Sequence, residues 1–217
     1  MLKMAKNDSK IIALDYLKEQ IITCEMPPGS VIRVEDVAEK LCISKTPVRE
    51  ALIELQTDGY VNIVPRKKTI VSKISLQDLK NIYDARSLIE THIIQSLSRK
   101  DVEANKDMLL RLSELWENIN ISGQTKAEYI SFLKEDLRFH QSIIQMSGNP
   151  HLIHYCQGLI YKSQRFWYMA LFNNDVQRVR KEHLQIAALI LKNKPKDAAV
   201  ALREHISVSK ALSILSE

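Results

Sequence analysis

From residue 76 onward, apolar side chains recur at three- and four-residue intervals with few interruptions, and a chain with that rhythm has little choice but to pack helices. The spacing predicts helices over about 76–99, 101–120, 126–147, 150–172, 175–192 and 195–215. Breaks are expected at Ser122-Gly123, Gly148-Asn149-Pro150, Asn173-Asn174 and Lys194-Pro195, where glycine, asparagine and proline interrupt the pattern. Only five glycines occur in 217 residues, which agrees with a mainly helical protein.

The first third is punctuated differently. A helix is read over about residues 10–24, on Ile11, Leu14, Leu17 and Ile21, and Pro27-Pro28-Gly29 stops it. A short helix follows on Val34, Val37, Ala38 and Leu41, then a tight turn at Cys42-Ile43-Ser44. A third helix has Ser44 or Thr46 as its cap and Pro47 in its first turn, where proline is tolerated. Its inner stripe is Val48, Ala51, Leu52 and Leu55, and Gly59 ends it. Two strand-like runs, Tyr60–Val64 and Thr69–Lys73, flank Pro65-Arg66-Lys67-Lys68 and read as a hairpin. The expected fold is therefore mainly α: a winged helix-turn-helix over residues 1–74, followed by an all-α helical bundle over 75–217.

In a helix-turn-helix, the helix after the turn enters the major groove by its N-terminal end. With the inner stripe buried, Lys45, Thr46 and Arg49 are left to face DNA. Arg49 suits a bidentate pair with guanine, and Lys45 and Thr46 suit phosphates or base edges. Arg66, Lys67 and Lys68 at the hairpin tip would meet the flanking backbone or the minor groove. The formal charge of +5 fits a polyanionic partner only mildly, so the local basic cluster carries the expectation. Glu50, Glu54 and Asp58 on the third helix make it no plain basic stripe.

In the helical region, four stripes each admit one polar residue where an apolar one is expected: Arg86, His140, His183 and His205. Asp136 lies one turn before His140. Buried polar groups are costly unless paired. Three histidines and an aspartate directed inward from three helices either are hydrogen-bonded core residues or satisfy one another by sharing a divalent ion: zinc, nickel, iron or manganese. Four protein ligands leave two positions open on an octahedral ion, which a small carboxylate effector would fill. Arg86 needs an anion, supplied either by a nearby glutamate or by that effector. His92, His151 and His154 follow no stripe and are expected at the surface or in structural roles. Tyr161, Arg165, Phe166, Trp167, Tyr168 and Phe172 make an aromatic-rich helix suited to core packing or a dimer contact, with Tyr161 and Arg165 as alternative cavity residues.

Three cysteines, Cys24, Cys42 and Cys156, form no CxxC pair and suit reduced thiols. The first ten residues lack an apolar signal core, and no apolar run approaches the length of a membrane span. A cytoplasmic protein with no membrane partner is expected. There is no HExxH and no nucleophile elbow, so a metal hydrolase is poorly supported against a regulator.

The motifs Met26-Pro27-Pro28-Gly29, Val37-Ala38-Glu39-Lys40-Leu41, Ser44-Lys45-Thr46-Pro47-Val48-Arg49-Glu50-Ala51-Leu52 and Asp58-Gly59-Tyr60-Val61 resemble the GntR family of bacterial regulators. That resemblance implies a homodimer on a palindromic operator in double-stranded DNA, with contacts from Lys45, Thr46, Arg49 and the wing tip. It usually places arginine at position 45, glycine near Cys42 and glycine at position 68. The later motifs, from Asp84-Ala85-Arg86 through Glu90, Asp136-Leu137-Arg138-Phe139-His140, Ser147-Gly148-Asn149, Glu182-His183 and Arg203-Glu204-His205, resemble the FCD effector domain of the FadR subfamily. This second resemblance implies metal ligation by Asp136, His140, His183 and His205, and an effector carboxylate on Arg86. A regulator with a metal-free pocket for a lipid-like or neutral effector is the competing expectation.

Overall fold

A computed structural model of the chain describes residues 6–64, 67–73, 75–119, 125–169 and 176–215. The chain divides into two compact units, Met1–Ser75 and Leu76–Glu217. The tip residue Arg66, the breaks at Ser122-Gly123 and Asn173-Asn174, and Phe172 lie outside the described residues.

The first unit is built on α1 (Lys6–Ile22), β1 (Val31–Ile32), α2 (Val34–Lys40), α3 (Lys45–Thr57), β2 (Val61–Val64) and β3 (Lys68–Val71). α1 packs against α3, and Ala13, Leu17 and Ile21 of α1 and Val48, Ala51 and Leu55 of α3 are fully buried. The strands form an antiparallel sheet in the order β1-β3-β2. At two residues, β1 is too short to leave a periodic signature, so it escapes a reading of the sequence. Gly29 has φ of +85°, and its amide donates to the Val71 carbonyl (2.9 Å), tying the Pro-Pro-Gly turn to β3. At the hairpin, the Lys67 amide closes onto the Val64 carbonyl, and Lys68 already pairs with Val64 in the ladder. Position 68 is therefore ordinary strand, which is why a lysine stands there without glycine.

The second unit is helical throughout its described residues: α4 (Leu76–Ser96), α5 (Arg99–Ala104), α6 (Lys106–Asn118), α7 (Lys126–Gln145), α8 (Pro150–Met169), α9 (Val176–Leu191) and α10 (Pro195–Leu215). α4 packs against α10 and α8, α7 against α8, and α9 against α10 and α6. Ile93, Ile144, Cys156 and Ile160 form a fully buried cluster where α4, α7 and α8 meet. The helix expected over 101–120 is in fact two. Ser98 and Asp101 form a capping box that starts α5, and the Asn105 side chain donates to the Asp101 carbonyl (2.9 Å), ending α5 and letting α6 begin afresh. Among the described residues, no helix is long and apolar enough to cross a membrane.

Candidate metal centre and DNA-reading surface

The helix registers bring three of the stripe residues and Asp136 to one point. Asp136 and His140 are one turn apart on α7, His183 comes from α9 and His205 from α10. Their ligand atoms all lie within 4.8 Å of one another. Nε2 of His205 is 3.2 Å from Nε2 of His140 and 3.3 Å from Nε2 of His183. Asp136 Oδ1 is 3.5 Å from His183 Nε2 and 3.9 Å from His140 Nε2. All three imidazoles are buried, while Asp136 is half-buried.

The hydrogen bonds on the far sides of the rings decide what faces inward. His140 Nδ1 sits 2.6 Å from Glu90 Oε2, and His205 Nδ1 sits 2.7 Å from Glu182 Oε2. An ionised carboxylate only accepts, so each Nδ1 carries a proton, and in the neutral ring a metal ligand must be, each Nε2 presents a lone pair. His183 is held by rings instead: Phe139 stacks on it at 3.9 Å, and Trp116 meets it edge-on at 4.4 Å. Its Nδ1 is buried with no hydrogen-bond partner.

With His140 and His205 presenting lone pairs beside the Asp136 carboxylate, at most the His183 Nε2 can donate among the four, so acceptors outnumber donors at this point. A shared cation relieves this. Bonds of about 2.0–2.1 Å to a tetrahedral ion place ligand atoms roughly 3.3 Å apart, close to the shorter separations seen here. The residues present thus fit a divalent ion by donor chemistry and by spacing.

Burial pushes the His183 imidazole well below its ordinary pKa, and neighbouring His205 and His140 add to the effect. Burial lowers His205 as well, against the opposing hydrogen bond to Glu182. Both rings are thereby kept neutral, as metal ligands must be. For Glu90, burial works toward a higher pKa, but Arg86 and His140 outweigh it and pull the carboxyl down to about 2. Arg86, raised above its ordinary value by Glu90 despite burial, gives its Nε to Glu90 Oε1 (2.8 Å) and its Nη1 to Ser163 Oγ (2.8 Å). Glu182 is gripped in turn by Arg178 Nη1 at 2.6 and 2.7 Å.

Arg86, Asp136, His140 and His205 border a small cavity with Trp167 and Ile206. Its free volume is about 10 Å³, the space of one water molecule. Within the aromatic stretch, Phe166, Trp167 and Tyr168 are buried, and Trp167 reaches the cavity rather than Tyr161, whose hydroxyl accepts from Gln141 Nε2. His92, His151 and His154 are exposed. Glu90 and Glu182, which orient two of the rings, were missed as site residues. Glu90 stands four residues after Arg86 and Glu182 directly precedes His183, so their spacing was the available signal.

In the first unit, Lys45, Thr46 and Arg49 are exposed at the N-terminal end of α3, while Pro47 and the inner stripe are buried. Ser44 occupies the cap position without a side-chain cap bond. Arg49 lines a groove of about 560 Å³ together with Arg33, Glu35, Lys67 and Lys68. Lys45 Nζ lies 2.7 Å from Glu35 Oε1 on α2, and both side chains are exposed.

Comparison with known proteins divides the chain in the same place. Residues 13–71 match the model of the bacterial regulatory proteins of the gntR family, and residues 81–208 match the FCD domain. An uncharacterized HTH-type transcriptional regulator in an unstable DNA locus of Streptomyces ambofaciens is 29% identical over 136 residues. That match covers 63% of this chain but only 55%, about half, of the relative's own length. The Nta operon transcriptional regulator of Aminobacter aminovorans is 26% identical over 184 residues, covering 82% of each chain. Among solved structures, Escherichia coli McbR/YncC superposes with a TM-score of 0.74 at 18% identity, covering 99% of both chains, a likeness of fold.

Proposed function

Because this chain belongs to the GntR family of bacterial regulatory proteins and carries an FCD domain, we propose that it is an operator-binding regulator whose DNA affinity is set by a small carboxylate held at a divalent ion. Transcriptional regulation and DNA binding come with the family. The metal, the effector and the residue roles rest on one observation: three buried imidazole Nε2 atoms and a carboxylate oxygen drawn within 4.8 Å.

Asp136, His140, His183 and His205 hold the ion, zinc first in expectation, with nickel, iron or manganese as substitutes. The bound ion supplies Lewis-acid positions for a carboxylate oxygen. Four protein ligands close a tetrahedral ion but leave two positions on an octahedral one, which such a ligand would take. Arg86 borders the cavity and provides the cationic partner for the effector's other oxygen. A cavity of about 10 Å³ favours a small guest that displaces Trp167 and Ile206 slightly over a lipid-like one. On DNA, two copies read a palindrome in the cytoplasm. Arg49 addresses a base edge, Lys45 and Thr46 the groove entrance, and Arg66, Lys67 and Lys68 the flanking backbone.

The decisive experiment is elemental analysis of full-length protein purified without chelator or histidine tag. It should hold about one divalent ion per chain, and His205→Ala should hold far less while remaining folded. Protein with metal well below one per chain, and refusing added zinc, nickel, iron and manganese, overturns the metal-dependent part and leaves the family assignment intact.

A further inference from the structure

Resting on that metal reading, we propose that Glu90 is a positioning residue that links the two halves of the site: its one carboxylate, shared between Arg86 and His140, sets how tightly the protein holds both the ion and the anion. Glu90 Oε1 accepts from Arg86 Nε at 2.8 Å, and Oε2 accepts from His140 Nδ1 at 2.6 Å. Its side chain is 0% exposed and that of Arg86 4%. Both stand on α4 at i and i+4, so the helix fixes their spacing, whereas His140 arrives from α7.

Two consequences follow from this sharing, and they have opposite signs. The carboxylate makes the His140 ring a stronger donor through its far nitrogen. It also meets the charge of Arg86 at the Nε edge, which leaves the guanidinium a weaker attractant for a free anion at the cavity. Removing the charge of Glu90 therefore weakens the cation site twice over, since the ring loses its ionic acceptor and an uncompensated guanidinium faces the cation. The same change strengthens the anion site. Removing Arg86 does the reverse. A carboxylate that only stapled α4 to α7 would, on removal, loosen both guests together.

The test uses full-length protein with Co²⁺ as the metal probe, followed by its visible absorption, and acetate as the anion probe. Glu90→Gln should bind Co²⁺ about 10–100-fold more weakly. The Co²⁺-loaded variant should bind acetate several-fold more tightly. Arg86→Gln should bind Co²⁺ at least as tightly as the unaltered chain and acetate more weakly. Breaking one partner of a buried pair can unfold a protein, whereas removing both charges together is often tolerated. The double variant Arg86→Gln/Glu90→Gln therefore carries the test if either single one does not fold: it should regain most of the Co²⁺ affinity and lose acetate binding. Parallel loss of Co²⁺ and acetate in Glu90→Gln, or Co²⁺ affinity indifferent to it, overturns the proposal while the metal centre stands. An unaltered chain that binds no Co²⁺ overturns the proposal and the metal reading together.

Discussion

At the scale of single residues, the proposed reading head is shaped as much by an acid as by its bases. Lys45 occupies the first position of α3, yet its ammonium is held by Glu35 of α2 at 2.7 Å. That contact, first through its hydrogen bond, lowers the Glu35 pKa. Both side chains are exposed, so the pair is loosely held and the lysine is expected to pass readily to a phosphate where Glu35 carries no charge. Glu35→Gln is expected to raise affinity for non-specific DNA and to steepen the dependence of log K on log salt by about one. An unchanged slope in a salt titration by fluorescence anisotropy would show that Glu35 does not withhold Lys45 from a phosphate. Arg49→Ala acts differently. It should cost about 1–3 kcal/mol of discrimination between operator and random DNA in a gel shift, with the fold intact because the side chain is exposed. Specificity retained in that variant would remove Arg49 from its assigned role.

At the scale of elements, the helix ends explain where the chain departs from the family's usual residues. α2 finishes with the Cys42 amide on the Glu39 carbonyl (3.1 Å) and the Ile43 amide on the Ala38 carbonyl (3.0 Å), a Schellman motif. Its left-handed position falls on Cys42, at φ +54°. Glycine is at ease there and cysteine is strained, which accounts for the usual glycine near this place. α3 ends in the same motif with Gly59 at φ +78°, and α9 ends in it with Asn193 at +55°, asparagine being the better-tolerated substitute. Cys42→Gly should therefore stabilise the first unit by about 0.5–1 kcal/mol, after the entropy glycine adds to the unfolded chain. Urea unfolding checks it: a midpoint that falls would mean the Cys42 side chain contributes more than its backbone strain costs.

At the scale of the whole molecule, the buried histidine cluster is expected to make the second unit's stability depend on pH and, with the proposed ion, on metal. His183 and His205 are held below their ordinary pKa by burial, so the unfolded chain binds protons that the folded one does not. Metal-free protein should thus be at its steadiest above about pH 6.5 and lose stability as pH falls below it. Glu90, at about 2, adds its own loss only in stronger acid, below the usual glutamate range. Melting curves of chelator-treated protein at pH 7.5 and 5.5 should show a lower Tm at the acid value. Added zinc at pH 7.5 should raise Tm, since an ion bound only by the folded state stabilises it by mass action. Equal Tm at the two pH values would mean that these imidazoles are not buried neutral in solution.

Much of this was legible without coordinates, and the reason is local. Periodicity exposed the helices of the second unit, and the anomalies in their stripes exposed Arg86, His140, His183 and His205, because a polar residue in an apolar seam is visible within one helix. The break at Asn105 and the strand β1 were not legible: one depends on a side chain bonding back to its own turn, the other on two residues finding a partner strand about forty positions away. Glu90 and Glu182 stood in plain view beside Arg86 and His183, but nothing in the linear order says which ring nitrogen each would meet. A residue's periodicity is a property of its own segment. Its hydrogen-bond partner is a property of how α4, α7, α9 and α10 pack, and only that packing brings three imidazoles and a carboxylate to one point.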